Sequence, residues 1–208
     1  MVNRTSLRAF AVFAALGMLT APSAVRAQLV GDFDRGRDLA ATHCVACHGA
    51  DGNGPVPSFP KIAGLHKEYT IKQLQEFRTQ RRVSEIMQPI AAGLSEQEIA
   101  DVALFFAAQR AVPVEVVDAG VLPLGRRVYE EGNPAAGVPA CAGCHGTEGR
   151  GNPRFPRLAG QYPDYTLEQM RQFAGGERRN DKRMMQAIAT RLSAEETHAV
   201  AHYIASMP

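Results

Sequence analysis

Apolar residues recur at helical spacing in several stretches of the chain, and no stretch shows the alternation of a half-buried strand. In residues 69–77, Ile71, Leu74 and Phe77 share one side, while Lys72, Gln75 and Glu76 point away from it. Residues 165–173 repeat the arrangement with Leu167, Met170 and Phe173. Two later stripes, Ile99/Val102/Phe106 and Val200/Tyr203/Ile204, each follow a Ser-x-x-Glu start, Ser95 to Glu98 and Ser193 to Glu196. That start predicts a capping box, in which the Ser side chain takes an orphan N–H and the Glu reaches back to the cap. Residues 36–47 and 124–131 predict two further helical segments, the second followed by an insertion over 132–139. The pattern predicts an all-α chain.

The helices fall into two matching sets. Phe59-Pro60-Lys61-Ile62-Ala63-Gly64 matches Phe155-Pro156-Arg157-Leu158-Ala159-Gly160, and Tyr69-Thr70 matches Tyr165-Thr166. Phe77 matches Phe173, Met87-Gln88 matches Met185-Gln186, and Leu94-Ser95 matches Leu192-Ser193. The chain reads as an internal duplication, with units at 28–112 and 124–208. The intervening residues 113–123, which carry Pro113, Gly120 and Pro123 and few helix signals, read as a linker.

Composition narrows the function. The 208 residues are 45% hydrophobic and 21% charged, ordinary for a globular protein. Residues 1–27 read as a secretory signal, with Arg4 and Arg8 before a short apolar run and small residues near Ala27. Removing Arg4, Arg8 and Arg26 from the 23 basic residues leaves 20 against 21 acidic ones. A mature chain so nearly neutral has no basic excess for nucleic acid, and export to the periplasm is expected.

The four cysteines carry the chemistry. They lie in two pentapeptides, Cys44-Val45-Ala46-Cys47-His48 and Cys141-Ala142-Gly143-Cys144-His145. Cys-x-x-Cys-His is the attachment signal of a c-type haem: both thiols add to one porphyrin, and the adjacent His turns under the iron. A thioredoxin-type pair would call for a βαβ context, a four-Cys zinc site would not need a His after each pair, and structural disulfides would not need this spacing. Two covalently bound haem c groups are expected, on Cys44 and Cys47 with His48 as axial ligand, and on Cys141 and Cys144 with His145.

The repeat also selects the opposite ligands. Met87 is the single methionine of the first unit and lies seven positions before Leu94. Met185 lies seven before Leu192 and is its partner, with Met184 the alternative beside it. Met170 aligns with Leu74 and reads as core, and Met207 lies at the chain end. His66 aligns with Tyr162, which argues against a shared ligand role. His43 is held off the distal face by its neighbour Cys44, and His198 and His202 read as helix-surface residues. The carbonyls of the Phe-Pro segments, around Pro60 and Pro156, are the expected acceptors for the second ring nitrogen of each axial His. The same segments also read as loop stiffeners. Arg81, Arg82, Arg178, Arg179 and Arg183 flank the Met loops, either as solvated charge or as partners of haem propionates.

Two Cys-x-x-Cys-His-Gly units, each followed by Phe-Pro-(Lys/Arg)-(Ile/Leu)-Ala-Gly and later by Met-x-x-x-Ala-x-x-Leu-Ser, resemble the dihaem cytochrome c4 family over nearly all of the mature chain. The stretch before Met87 is shorter than in many relatives. The resemblance implies two tandem class I cytochrome c domains related by a pseudo-twofold axis, with propionate edges facing across the interface. It further implies a periplasmic electron carrier, often associated with the membrane, that passes electrons between a respiratory donor and a terminal oxidase. The alternative from another class is the haem subunit of a periplasmic dehydrogenase, such as a flavocytochrome sulfide dehydrogenase or an alcohol dehydrogenase complex. A dihaem peroxidase would need one iron able to open a site, and a Met in both units argues against it.

Overall fold

A computed structural model describes residues 30–115 and 118–208, so the signal segment expected at 1–27 lies outside the described residues. The first half contains α1 (Phe33–Leu39), a π-helical turn (Ala40–Cys44), α2 (Val45–His48), α3 (Lys67–Arg78), α4 (Met87–Ala92) and α5 (Glu96–Ala107). After a short 3₁₀ turn at Ala119–Val121, the second half contains α6 (Leu122–Glu131), a 3₁₀ turn (Pro134–Ala136), α7 (Ala142–His145), α8 (Pro163–Gly175), α9 (Met184–Ala189) and α10 (Ala194–Ser206). Among the described residues the extended pairing is limited to one isolated bridge, between Asn133 and Val138.

Helix ends follow local chemistry. Both capping boxes form, at Ser95 with Glu98 and at Ser193 with Glu196. The first helices begin earlier than the apolar pattern predicts. Asp32 caps α1 by accepting from the Arg35 amide, and α6 starts at Leu122 with Pro123 in its first turn, a position where the missing N–H costs nothing. The halves then diverge. In the first, one extra residue per turn over Ala40–Cys44 delivers the chain straight into the haem motif. In the second, α6 stops at Gly132 and the insertion makes a tight loop before Cys141.

Each half packs its first helix across its last, α1 on α5 and α6 on α10. The first core gathers Leu74, Phe77, Leu94, Ile99, Val102 and Phe106, with Ile71 and Met87 against it. The second gathers Val128, Tyr129, Val200, Ile204 and Met207, with Leu158 and Leu192 against it. Where the first half has Ala40, the second has Tyr129, which is fully buried and donates its hydroxyl to the Gly146 carbonyl at 2.6 Å.

The halves are bonded to each other directly. Gln161 acts like a piece of backbone toward Lys61: its Oε1 accepts from the Lys61 amide (3.0 Å) and its Nε2 donates to the Lys61 carbonyl (2.9 Å). The Tyr162 hydroxyl donates to the Gly54 carbonyl at 2.7 Å. Lys61 Nζ reaches the Val112 carbonyl, so the connecting segment is tied down at its start. No helix among the described residues is long and apolar enough to cross a membrane.

Candidate functional site

The two haem-motif loops are built alike. A one-turn helix ends at His48, and Gly49 leaves it with positive φ; His145 and Gly146 repeat this. The chain then turns back so that the Gly54 amide donates to the His48 carbonyl (2.7 Å) and the Gly151 amide to the His145 carbonyl (2.8 Å). The Gly52 carbonyl accepts from Ile62, and Gly149 from Leu158, which draws each Phe-Pro segment beneath its histidine.

That fold sets the histidine chemistry. His48 Nδ1 lies 2.8 Å from the Pro60 carbonyl oxygen, and His145 Nδ1 lies 2.9 Å from that of Pro156. A carbonyl can only accept, so Nδ1 carries the proton in each ring and Nε2 keeps its lone pair. Neither Nε2 has a hydrogen-bond partner among the described residues. Both rings are buried, which pushes their pKa below the ordinary histidine value, although the carbonyl bond works the other way. A neutral imidazole with a fixed tautomer and a free Nε2 is the form that binds a metal.

The cysteines sit beside these rings. Cys44, Cys47 and Cys141 are half-buried and Cys144 is exposed, and all four are free thiols. Burial pushes Cys44 and Cys141 up to about 11. Among the described residues no three His, Cys, Asp or Glu side chains converge as a metal cluster would, so the two Cys pairs do not meet as a four-Cys site. The donor set of each half, two thiols and one neutral imidazole, fits a covalently attached haem and no group that needs four thiolates.

Both Met loops present their methionine at the first turn of a short helix. The Met87 amide donates to Ser84 Oγ (3.1 Å), and the Met185 amide donates to the Asp181 carboxylate (2.6 Å). Met87 is partly buried against the first core, and Met185 is likewise partly buried. Met184 is 46% exposed, facing away from the packed interior. Met207 lies in the second core and Met170 on the α8 wall beside Leu167 and Leu192. His66 precedes α3, while His198 and His202 stack on one face of α10, 4.4 Å between ring centres.

Arg82 and Arg178, for which the sequence left solvated charge and a propionate partner as alternatives, are buried at the junction of the halves, each over the Phe of its own half (Phe77 at 4.6 Å, Phe173 at 4.5 Å). Arg82 reaches across to the Tyr165 hydroxyl (2.8 Å) and Gln169 (2.9 Å), and Arg178 reaches back to the Tyr69 hydroxyl (3.0 Å). The signal was present in the repeat: Tyr-Thr-x-x-Gln recurs at 69–73 and 165–169 in positions that an isolated amphipathic helix would leave to solvent. Arg81, Arg179 and Arg183 are exposed.

The sequence profile of the cytochrome c family matches the chain twice, at residues 33–108 and 124–208. Among curated proteins the chain is similar to cytochrome c4 of Thiocapsa roseopersicina, 44% identical over 179 residues, covering 84% of this chain and 92% of that one. It is also similar to the thiosulfate dehydrogenase electron acceptor of Stutzerimonas stutzeri, 38% identical over 83% of this chain and 82% of that one. Among solved structures, reduced recombinant cytochrome c4 from Pseudomonas stutzeri superposes with a TM-score of 0.81 at 35% identity, covering 86% of this chain and all of that one.

Proposed function

Because the chain belongs to the cytochrome c4 family of electron-transfer proteins and carries two haem c groups, we propose that it shuttles single electrons in the periplasm through two His/Met-ligated sites, one in each of the units 28–112 and 124–208. His48 and Met87 hold one haem iron, with Cys44 and Cys47 attached to its porphyrin. His145 and Met185 hold the other, with Cys141 and Cys144 attached. The observation that carries this reading is the repeated bond from a buried axial-type histidine to a proline carbonyl, His48 to Pro60 and His145 to Pro156.

A bound haem supplies an iron that changes between the ferric and ferrous states. The protein's part is to hold the ligands still. The Pro60 and Pro156 carbonyls lock each imidazole in one tautomer and raise its basicity. Ser84 and Asp181 fix the backbone amides of Met87 and Met185, so each thioether is presented from an anchored helix start. A thioether favours the ferrous state more than a nitrogen ligand does, which suits a high-potential carrier. A haem held by His48 and Met87, or by His145 and Met185, would have both of its remaining iron positions filled by this chain's side chains, an arrangement that suits electron carriage better than peroxidase-type turnover.

Similarity to a thiosulfate dehydrogenase electron acceptor favours a second reading, in which the donor is a periplasmic dehydrogenase and this chain its haem-bearing partner. Val83 and Ile86, 68% and 52% exposed beside Met87, offer an apolar contact for such a protein. A spectroscopic redox titration of the mature protein tests the main reading. Two haems per chain, each with the deep-red Met–iron absorption in the ferric state, are expected. An open iron position at rest, or rapid turnover of peroxide, overturns it.

A further inference from the structure

The last helix, α10, carries two imidazoles that belong to neither haem motif. His198 and His202 stand four residues apart, so one helical turn stacks them on the same face. Their ring centres are 4.4 Å apart and the rings are tilted by 51°. The His198 side chain is 45% exposed, and His202 is half-buried. Neither ring makes a hydrogen bond among the described residues. His202 Nδ1 is buried without a partner, and His198 Nε2 lies 3.8 Å from Asp118 Oδ2, too far for a hydrogen bond. A buried ring nitrogen is ordinarily hydrogen-bonded, as those of His48 and His145 are. Here no ring nitrogen is committed to the protein, so each neutral imidazole has a lone pair to give.

Carboxylates flank the pair without closing it. Asp118, in the connecting segment, turns one oxygen toward His198, and its other oxygen accepts from the Gly120 amide (3.1 Å), which fixes the side chain. Asp164, in the first turn of α8, acts with Asp118 on His202 through its charge. Burial and the adjacent His198 ring hold the His202 pKa below the ordinary histidine value, against the pull of these two carboxylates. The connecting segment is also bonded further along α10, where the Val114 amide donates to the Ala205 carbonyl (3.0 Å). Among the described residues no third His, Cys, Asp or Glu converges on the rings to complete a closed metal cage. The duplicated architecture does not call for the pair. At the same distances from the Ser cap of α5 stand Ala100 and Leu104.

We propose that His198 and His202 form an open divalent-metal site on the second half, which takes a borderline transition-metal ion such as Zn²⁺ or Cu²⁺ through two imidazole nitrogens and leaves its remaining positions to water. Imidazoles at i and i+4 on one helix face bind such an ion together, and nitrogen donors of this kind suit zinc and copper. Asp118 and Asp164 offset the charge of the ion. Asp118 accepts from a metal-bound water, which ties the connecting segment to α10. Ala199 follows His198 where the helix of a zinc hydrolase has its glutamate, so this site binds an ion without hydrolytic chemistry. The site stands apart from both haem motifs and does not depend on the assignment of their iron ligands.

The test uses the mature dihaem protein, stripped with a chelator, and Zn²⁺ alone as the probe, because Zn²⁺ exchanges no electrons with haem. Calorimetric titration of the parent is expected to show one saturable Zn²⁺ per chain, and the bound ion is expected to raise the thermal midpoint. His198→Ala and His202→Ala each lose the saturable binding and the rise in midpoint. Asp118→Asn keeps both imidazoles and binds about tenfold more weakly. The haem spectra stay the same in every variant, with and without Zn²⁺, which separates this site from the iron ligands. His198 is exposed, so His198→Ala decides the matter even if His202→Ala fails to fold. A parent protein without saturable binding at millimolar Zn²⁺ overturns the proposal. Binding by His198→Ala equal to that of the parent overturns it as well, since the ion then sits at another histidine such as His43 or His66.

Discussion

Gly36 lies so close beneath Asp101 that a Cβ added to it would sit 2.2 Å from the Asp101 carbonyl oxygen, and Gly125 stands in the same relation to Ala199, at 2.1 Å. These two contacts are where α1 crosses α5 and α6 crosses α10. The absence of a side chain lets backbone meet backbone, and the rest of each half is arranged around that crossing.

Replacing either glycine with alanine must push the crossing helices apart. Gly36→Ala and Gly125→Ala are each expected to destabilise the holoprotein by about 2–3 kcal/mol, in the range of core overpacking. Denaturant melts followed by far-UV circular dichroism measure this. An unchanged midpoint would show that the crossing yields without cost.

Asp101 makes the same helix pair sensitive to acid. Its side chain is 1% exposed and accepts from Arg35, from the Asp32 amide and from Gln97. Burial works to raise the carboxyl pKa, but these hydrogen bonds and the Arg35 charge outweigh it and leave it lowered. The folded value lies below the unfolded one of about 3.9, so the contribution is complete above that pH and disappears as pH falls through the folded value. Asp101→Ala is expected to cost about 2–3 kcal/mol at neutral pH, since three donors lose their acceptor. The parent's advantage over the variant should shrink in melts below about pH 4. An advantage that persists unchanged to about pH 2 would contradict this.

The adjacent methionines of α9 are expected to separate cleanly. Met184→Ala, at an exposed position, leaves the Met–iron absorption intact and changes stability by under about 0.5 kcal/mol. Met185→Ala removes that absorption from one haem, and Met185→His lowers its potential. The opposite pattern would reassign the ligand to Met184.

Tyr162 and Gln161 tie the halves with bonds that no helix pattern announces. Tyr162→Phe is expected to lose about 1 kcal/mol, and Gln161→Ala somewhat more, because it leaves both the Lys61 amide and carbonyl unpaired. Amide hydrogen exchange at Lys61 in Gln161→Ala should rise toward the solvent rate. Protection equal to that of the parent would mean that Lys61 has found another partner.

Each core is small for a unit of this length, and a covalently held haem adds the apolar surface that such a domain lacks. Replacing Cys44 and Cys47 with alanine is therefore expected to leave the first half largely unfolded, with about half of the helical signal lost. A cooperative, native-like melt of that half would refute the dependence.

Much of this protein was legible in the chain. Two Cys-x-x-Cys-His motifs are local chemical signatures, and their meaning does not depend on what packs around them. The stripes ending at Phe77 and Phe173 report on one helix at a time, and the Ser-x-x-Glu caps are complete within four residues. Duplication carries an argument from one half to the other, and it is the ground on which Met185 rather than Met184 is proposed as a ligand. The tertiary structure decided what depends on distance through space. That Gly36 needs to be glycine is set by Asp101, sixty-five positions away. The role of Arg82 is set by Tyr165 and Gln169, residues of the other half. A charged side chain next to a loop reads as solvated because its burial comes from surfaces that meet only after both halves have folded. Periodicity encodes which face of a helix turns inward, but not that two such faces will enclose a pair of cations between them.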